Sequence, residues 1–261
     1  MIKLNPRPNA PGTLSVQQVI DTQNAIQAKV NGGAKPISND FTSHWLPEAR
    51  RVLWEHQNHK CCYCEREREE KRESDLEHYR PAAGVNEDAA HYGYWWLAYV
   101  WENYLFSCKP CNQGYKKNQF PLLLGGIRAM NPLDSLVAEN PYLINPFDDN
   151  PEVLISFDWE DSNGLFVKAV STLADANERG EKTISIVGLN RKGLPEERAG
   201  FLLTLQAIAV KMYAAKHLEF VNLFNETKKD IERETSSTKQ FTGFRRAYFR
   251  KLGLGHYISK D

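Results

Sequence analysis

Four of the five cysteines in this 261-residue sequence form two C-x-x-C pairs, Cys61/Cys64 and Cys108/Cys111, and Cys62 lies inside the first. Two thiolates at that spacing can both reach about 2.3 Å from one tetrahedral ion, and two pairs close a four-sulfur shell, the usual structural zinc arrangement. A disulfide scaffold would scatter its cysteines and hold an even number. A redox dithiol needs one pair in a thioredoxin-like setting, and buried free thiols have no reason to fall twice into this spacing. A structural zinc on Cys61, Cys64, Cys108 and Cys111 is the expectation. Cys62 stays outside, since it could substitute for a neighbour only by distorting the turn. His56 and His59, just upstream, are not needed once four sulfurs complete the shell.

The 43 residues between Cys64 and Cys108 must form a substantial element, and they contain "SDLEHYRP", Ser74 to Pro81. Taken alone, His78 in that stretch is open to three readings: a catalytic base, a metal ligand or a packed histidine. Its neighbour Glu77 would face the other side of a strand, so a twist or bulge is needed for both to reach one site. Asn103 precedes the strand-like "YLFS", which runs into the second cysteine pair. Asn112 follows that pair at once and is placed to open a helix containing Lys116 and Lys117.

This order resembles the HNH endonucleases, which carry a ββα-metal fold: C-x-x-C, an acid-His-x-x-Pro, Asn, a short apolar strand, C-x-x-C-Asn and a lysine. The match runs from Cys61 to about Asn118. Further stretches, "EHYRP", "YWWLAYVWENYLFSCKPCNQ" and "NQFPL", resemble the HNH subunit of Septu anti-phage defence systems, which also occurs beside some retrons and accompanies an ATPase of the ABC/SMC type. "INPFDD" and "IVGLNRKGL" are similar to the same group.

The resemblance implies His78 as general base, Glu77 and Asn112 as ligands of a catalytic cation, and Asn103 as the middle asparagine that braces the loop between the strands. It also implies a backbone carbonyl that polarises the His78 imidazole. Glu77 replaces the commoner Asp and Asn112 the commoner His, and both oxygen donors favour magnesium or manganese over zinc. The implied reaction is hydrolysis of a DNA phosphodiester to a 5′-phosphate and a 3′-hydroxyl, with Lys116 and Lys117 contacting flanking phosphates. A catalytically silent zinc module docking an ATPase or nucleic acid, and a nuclease cutting RNA, are the alternatives. The retained Glu77, His78 and Asn112 speak against a pure scaffold, which would need only the cysteines.

The elements that must position these residues are mostly helical. "LSVQQVIDTQNAIQAKV" has Val19, Ile20, Ala25, Ile26 and Val30 at helical spacing, ended by "NGGAKP". A second helix is expected over "TSHWLPEARRVLWEHQNHK", with Ser43 as cap and Trp45, Leu46, Ala49, Val52 and Leu53 on one face. "EREREEKRE", Glu65 to Glu73, reads as a solvated charge run, and "RPAAGVNEDAAHYG" as an exposed loop with His91 in solvent. "YWWLAYVWENY" reads as a short buried helix ending near Glu102, its aromatics serving the core more than base stacking. "LINPFDDNPEVLISFDWEDSNGLFVKAV" predicts a β-hairpin turning at "DSNG", with Gly164 available for positive φ. Pro195 to about Glu234 is helical. Phe244, Arg245, Arg246, Tyr248, Phe249, Arg250 and Lys251 form either a partner or nucleic-acid surface or an amphipathic terminal helix.

The expected class is α+β and mostly helical: helical residues 1–60, a zinc-braced ββα-metal core over 61–125, and a hairpin with helices over 126–261 as a partner surface. With 33 basic and 33 acidic residues the net charge is zero, which excludes a protein that coats nucleic acid by overall charge but leaves room for a local basic groove. No apolar run approaches the roughly 18 residues of a membrane span, and "MIKLNPRPNAPGTL" lacks the apolar core of a signal peptide. A cytoplasmic location is expected.

Overall fold

Strand β2, Tyr104–Cys108, is buried at every position, as an apolar run covered on both faces should be. It pairs antiparallel with β1, Ser74–His78, in a register that sets Ser74 opposite Cys108 and His78 opposite Tyr104. The computed structural model describes residues 1–41, 46–158, 166–170 and 173–261. The fold is α+β, with seven α-helices and two two-stranded antiparallel sheets among those residues.

Helix α1, Gln17–Asn31, buries Val19 and Ile26 against Ala82, Trp95, Ala98 and Tyr99. Helix α2, Leu46–His56, places Ala49 and Leu53 on Trp101, Tyr104 and Phe106. The expected cap Ser43 and face residue Trp45 lie outside the described residues. Just past α2, the Gln57 amide pairs with the β2 backbone, donating to the Phe106 carbonyl at 2.8 Å and accepting from the Phe106 N–H at 3.0 Å. This delivers the chain to Cys61.

After β2 the helix expected from the sequence is a seven-residue π-helix, Pro110–Lys116. The Lys117 N–H donates to the Asn112 carbonyl at 2.7 Å, an i→i+5 bond of the kind that marks wide turns at functional sites. Strands β3, Ile155–Asp158, and β4, Phe166–Ala169, form the expected hairpin; its "DSNG" turn with Gly164 lies outside the described residues. Helix α3, Ala174–Ile186, packs on β4 and is followed by α4, Leu194–Ala199, α5, Leu202–His217, α6, Val221–Glu234, and α7, Thr242–Lys251.

Four expectations are corrected in whole or in part. The aromatic run is buried but not one helix: it makes two short 3-10 turns, Trp95–Leu97 and Trp101–Asn103, because its bulky residues point into different core clusters. The loop after Arg80 is exposed over Asn86, Glu87, Ala89 and Ala90 but buried at both ends, and His91 is buried, its Nε2–H donating to the Ala129 carbonyl at 2.8 Å and its Nδ1 accepting from the Gly93 N–H at 2.9 Å. Gly93 (φ +84°) is needed there, since a Cβ would lie 2.2 Å from the Gly84 nitrogen. Glu65, first of the charge run, is buried against the Met1 amine at 2.7 Å and accepts from the Gly243 N–H. Of the two readings of the basic C-terminal stretch the terminal helix holds and the binding surface does not: Phe244, Arg245, Arg246, Tyr248 and Phe249 are all buried, the cations held by Glu234, Glu152, Asp261 and backbone carbonyls.

Candidate active site and metal centre

The sulfurs of Cys61, Cys64, Cys108 and Cys111 are buried and lie within 4.8 Å of one another. Cys64 and Cys108 are 3.7 Å apart, close to the roughly 3.8 Å edge of a tetrahedron with 2.3 Å zinc–sulfur bonds. The donor set and its spacing suit one zinc ion. Cys62 is buried outside the cluster, and its N–H is spent on the Phe106 carbonyl at 3.0 Å. His56 meets the Asn5 carbonyl and His59 stacks on Trp54, so neither histidine joins the cluster.

Sequence reasoning missed the cation beside these sulfurs. Arg191 Nη1 lies 3.3 Å from Cys111 Sγ, and Nη2 lies 3.8 Å from Cys108 Sγ. The thiolates push its pKa upward against the opposing effect of burial. Arg191 belongs to the "IVGLNRKGL" stretch, whose Gly188 (φ +61°) leaves room for the Tyr115 ring of the π-helix; a Cβ would lie 2.4 Å from that ring. The only signal in the sequence was the stretch itself, with nothing to say what it touched.

Above the cluster, β1 and the π-helix wall a cavity of about 210 Å³ lined by Glu77, His78, Pro81, Asn112, Lys117 and Asn118 among others. Ser38 and Phe41, from the segment after α1, also line it. The adjacent Glu77 and His78 thus reach one cavity, because β1 ends at His78. The imidazole leaves the strand to meet the Ala98 carbonyl at 2.8 Å, an acceptor shared with the Tyr104 hydroxyl. A carbonyl only accepts, so Nε2 carries the proton and Nδ1 is the basic nitrogen. Burial, with the nearby Lys116 charge adding to it, pushes the His78 pKa down to about 4 despite the Ala98 bond, which keeps the ring neutral near pH 7.

Asn103 braces the turn after β1. Its Oδ1 accepts from the Arg80 N–H at 2.8 Å, and its Nδ2 donates to the carbonyls of Arg80 at 3.0 Å and Leu97 at 3.2 Å. Arg80 is pinned by the buried Glu139, whose carboxylate takes its Nε–H at 2.7 Å and also meets the Tyr94 hydroxyl. Asn112 Nδ2 donates to Asp75 at 3.1 Å, which leaves Oδ1 as the free end of the amide. The carboxylate of Glu77 and that amide oxygen are the hard donors a magnesium or manganese ion takes, so the residues present fit such an ion.

The two lysines expected on an exposed helix differ. Lys117 is exposed at the cavity rim. Lys116 is 1% exposed, its ammonium 2.6 Å from Glu77 Oε1 and donating to the His78 carbonyl at 2.9 Å. The π-helical turn carries its side chain inward, beneath the cavity and away from solvent.

Fold and site define an α+β protein with a four-cysteine cluster bracketing a two-stranded hairpin, and a histidine, a carboxylate and an amide gathered in one cavity. Comparison with known proteins finds relatives among the Septu proteins. The chain is 29% identical to Septu protein PtuB of Bacillus mycoides (strain KBAB4) over 215 residues, which is 81% of this chain and 70% of that protein. It is 33% identical to Septu protein PtuA of the same strain over 147 residues, 54% of this chain but 19% of PtuA. The chain is thus homologous to Septu components along most of its length. No family model matches it. No helix among the described residues is long and apolar enough to cross a membrane.

Proposed function

We propose that this protein is a metal-dependent endonuclease of the HNH type that cuts DNA as the effector of an anti-phage defence complex, together with an ATPase of the ABC/SMC type. The observation that carries the reading is the His78–Ala98 hydrogen bond. It fixes the imidazole tautomer, orients the ring at the cavity and leaves Nδ1 to accept a proton. In the reaction His78 takes a proton from water, the water oxygen bonds to phosphorus, and the bond from phosphorus to the 3′ oxygen breaks. The products are a 5′-phosphate and, once that oxygen is protonated, a 3′-hydroxyl. Glu77 and Asn112 would hold the magnesium or manganese ion, which when bound neutralises charge on the phosphate and the leaving oxygen. Lys117 at the rim is suited to a flanking phosphate. The sulfur cluster, with Arg191 against it, holds the hairpin and the π-helix at a fixed distance.

The similarity to PtuB, and to part of PtuA, supports a role inside a Septu-type assembly. The test is cleavage of plasmid and single-stranded DNA with magnesium or manganese, alone and with a candidate ATPase partner, comparing wild type with zinc-replete His78→Ala. Cutting by wild type and a loss of about 10²- to 10⁴-fold in the variant is expected. No cutting with the partner present would favour a catalytically silent binding module, and RNA in place of DNA as the cleaved strand would correct the substrate. The two proteins are expected to co-purify at micromolar concentrations.

A further inference from the structure

We propose that Lys116 is a counter-cation built into the site, holding the Glu77 carboxylate until a divalent cation takes over part of that hold and thereby setting the site's affinity for the ion. The inference rests on the reading that Glu77 and Asn112 bind a divalent cation, and it adds a positioning residue that regulates that binding.

Three observations carry it. The ammonium lies 2.6 Å from Glu77 Oε1. Both partners are almost wholly buried, Glu77 at 2% and Lys116 at 1%, so water screens neither charge. The second contact of Lys116, 2.9 Å to the His78 carbonyl, fixes the ammonium on the backbone of the residue that carries the imidazole. The π-helix carries Asn112 as its third residue and Lys116 as its last, so one short element supplies both a neutral oxygen donor and the resident positive charge.

The energetics give the sign. A buried carboxylate without a partner is strongly destabilising, so something must neutralise Glu77 when no ion is bound. Lys116 does so. A divalent cation arriving at Glu77 then meets a positive charge already on the carboxylate and is repelled by it. Removing the ammonium relieves the repulsion and leaves a carboxylate whose available compensation is the ion itself. Lysine suits the task because its compact ammonium meets one carboxylate oxygen and one carbonyl, whereas a planar arginine fork would engage both carboxylate oxygens.

The experiment titrates Mn²⁺ into the full zinc-loaded chain, following free Mn²⁺ by electron paramagnetic resonance and the thermal midpoint in parallel. Wild type, Lys116→Met and Glu77→Gln are compared. Lys116→Met is expected to bind Mn²⁺ about tenfold or more tightly than wild type, and to gain more in thermal midpoint at saturating ion. Glu77→Gln is expected to lose the binding. A Lys116→Met protein that folds only with Mn²⁺ also supports the proposal, because the ion then replaces the ammonium. Equal or weaker binding in Lys116→Met overturns it, as does a variant that stays unfolded at saturating Mn²⁺. If wild type and Lys116→Met both fail to bind Mn²⁺ while zinc-loaded and folded, the metal-site reading itself falls, and this proposal with it.

Discussion

The Asn103 carboxamide makes three hydrogen bonds, two to the Arg80 backbone and one to the Leu97 carbonyl, in a place water does not reach. Truncation leaves those backbone groups unpaired, at about 1–3 kcal/mol for each buried group left without a partner. Asn103→Ala is therefore expected to lower stability by about 2–4 kcal/mol in denaturant melts; a loss below about 0.5 kcal/mol would show that the turn holds without it. His91 gives a pH test. Burial holds its pKa below the ordinary 6.5, against the Ala129 bond that raises it. The unfolded chain therefore binds the proton more readily, and stability is complete above about pH 6.5 and is lost as pH falls toward the folded pKa. His91→Gln should flatten the difference in stability between pH 7.5 and 5.5, and an unchanged difference would remove His91 as its source. The candidates Glu77, His78, Asn103 and Asn112 could be singled out in the sequence because their order along the chain carries information, and Glu77, His78 and Asn112 line one cavity. The burial of His91, Glu65 and Lys116 could not, since each depends on a partner far away: Ala129, Gly243, and Glu77 across the hairpin.

At the scale of elements, the cysteine pairs and the strand before the second pair were legible because thiol spacing and an apolar run are local signals. The π-helix was not, since an extra residue in a turn leaves no trace in hydrophobic periodicity. Nor was the docking of the "IVGLNRKGL" segment. Its Asn190 side chain pairs with Val167 of β4 through both backbone groups, at 2.7 and 2.8 Å, and its Arg191 reaches the sulfurs. One segment thus ties the second hairpin to the cysteine cluster. Four thiolates around one zinc carry a net charge near −2, and a guanidinium beside them offsets part of it, so this contact bears on metal retention. Arg191→Met should release zinc to a chromogenic chelator about 10-fold faster or more, with helix content by circular dichroism unchanged. An unchanged release rate would mean the arginine serves only the Gly188 and Val187 carbonyls it also contacts. Chelation of the zinc itself should loosen the hairpin, since neither cysteine pair then holds the other.

At the scale of the whole molecule, one hydrophobic cluster takes in Met1, the cysteines, Leu143 and Ile144, the β3–β4 hairpin and Phe241, Phe244 and Phe249 of the last helical segment. The stretch after α6 closes on the first cysteine pair directly. The Phe241 N–H donates to the Glu65 carbonyl at 3.1 Å, and the Lys60 ammonium donates to the Lys239 carbonyl at 2.8 Å and also meets the Ser237 carbonyl. Composition alone could not place this stretch, because basic and aromatic residues suit a binding surface as well as a core helix; only its partners Glu234, Glu152 and Glu65 decide. Phe241, Phe244, Tyr248 and Phe249 are all buried, and at about 1.5–3 kcal/mol for each such side chain their burial is worth about 6–12 kcal/mol. That is as large as the whole net stability of a typical domain. A chain ending at Glu234 is therefore expected to lose its cooperative melt and its zinc together, measured by circular dichroism and metal content after gel filtration. If residues 1–234 kept a full complement of zinc and a cooperative transition, the last helix would be an accessory layer, and the first cysteine pair would stand on α2 and β2 alone.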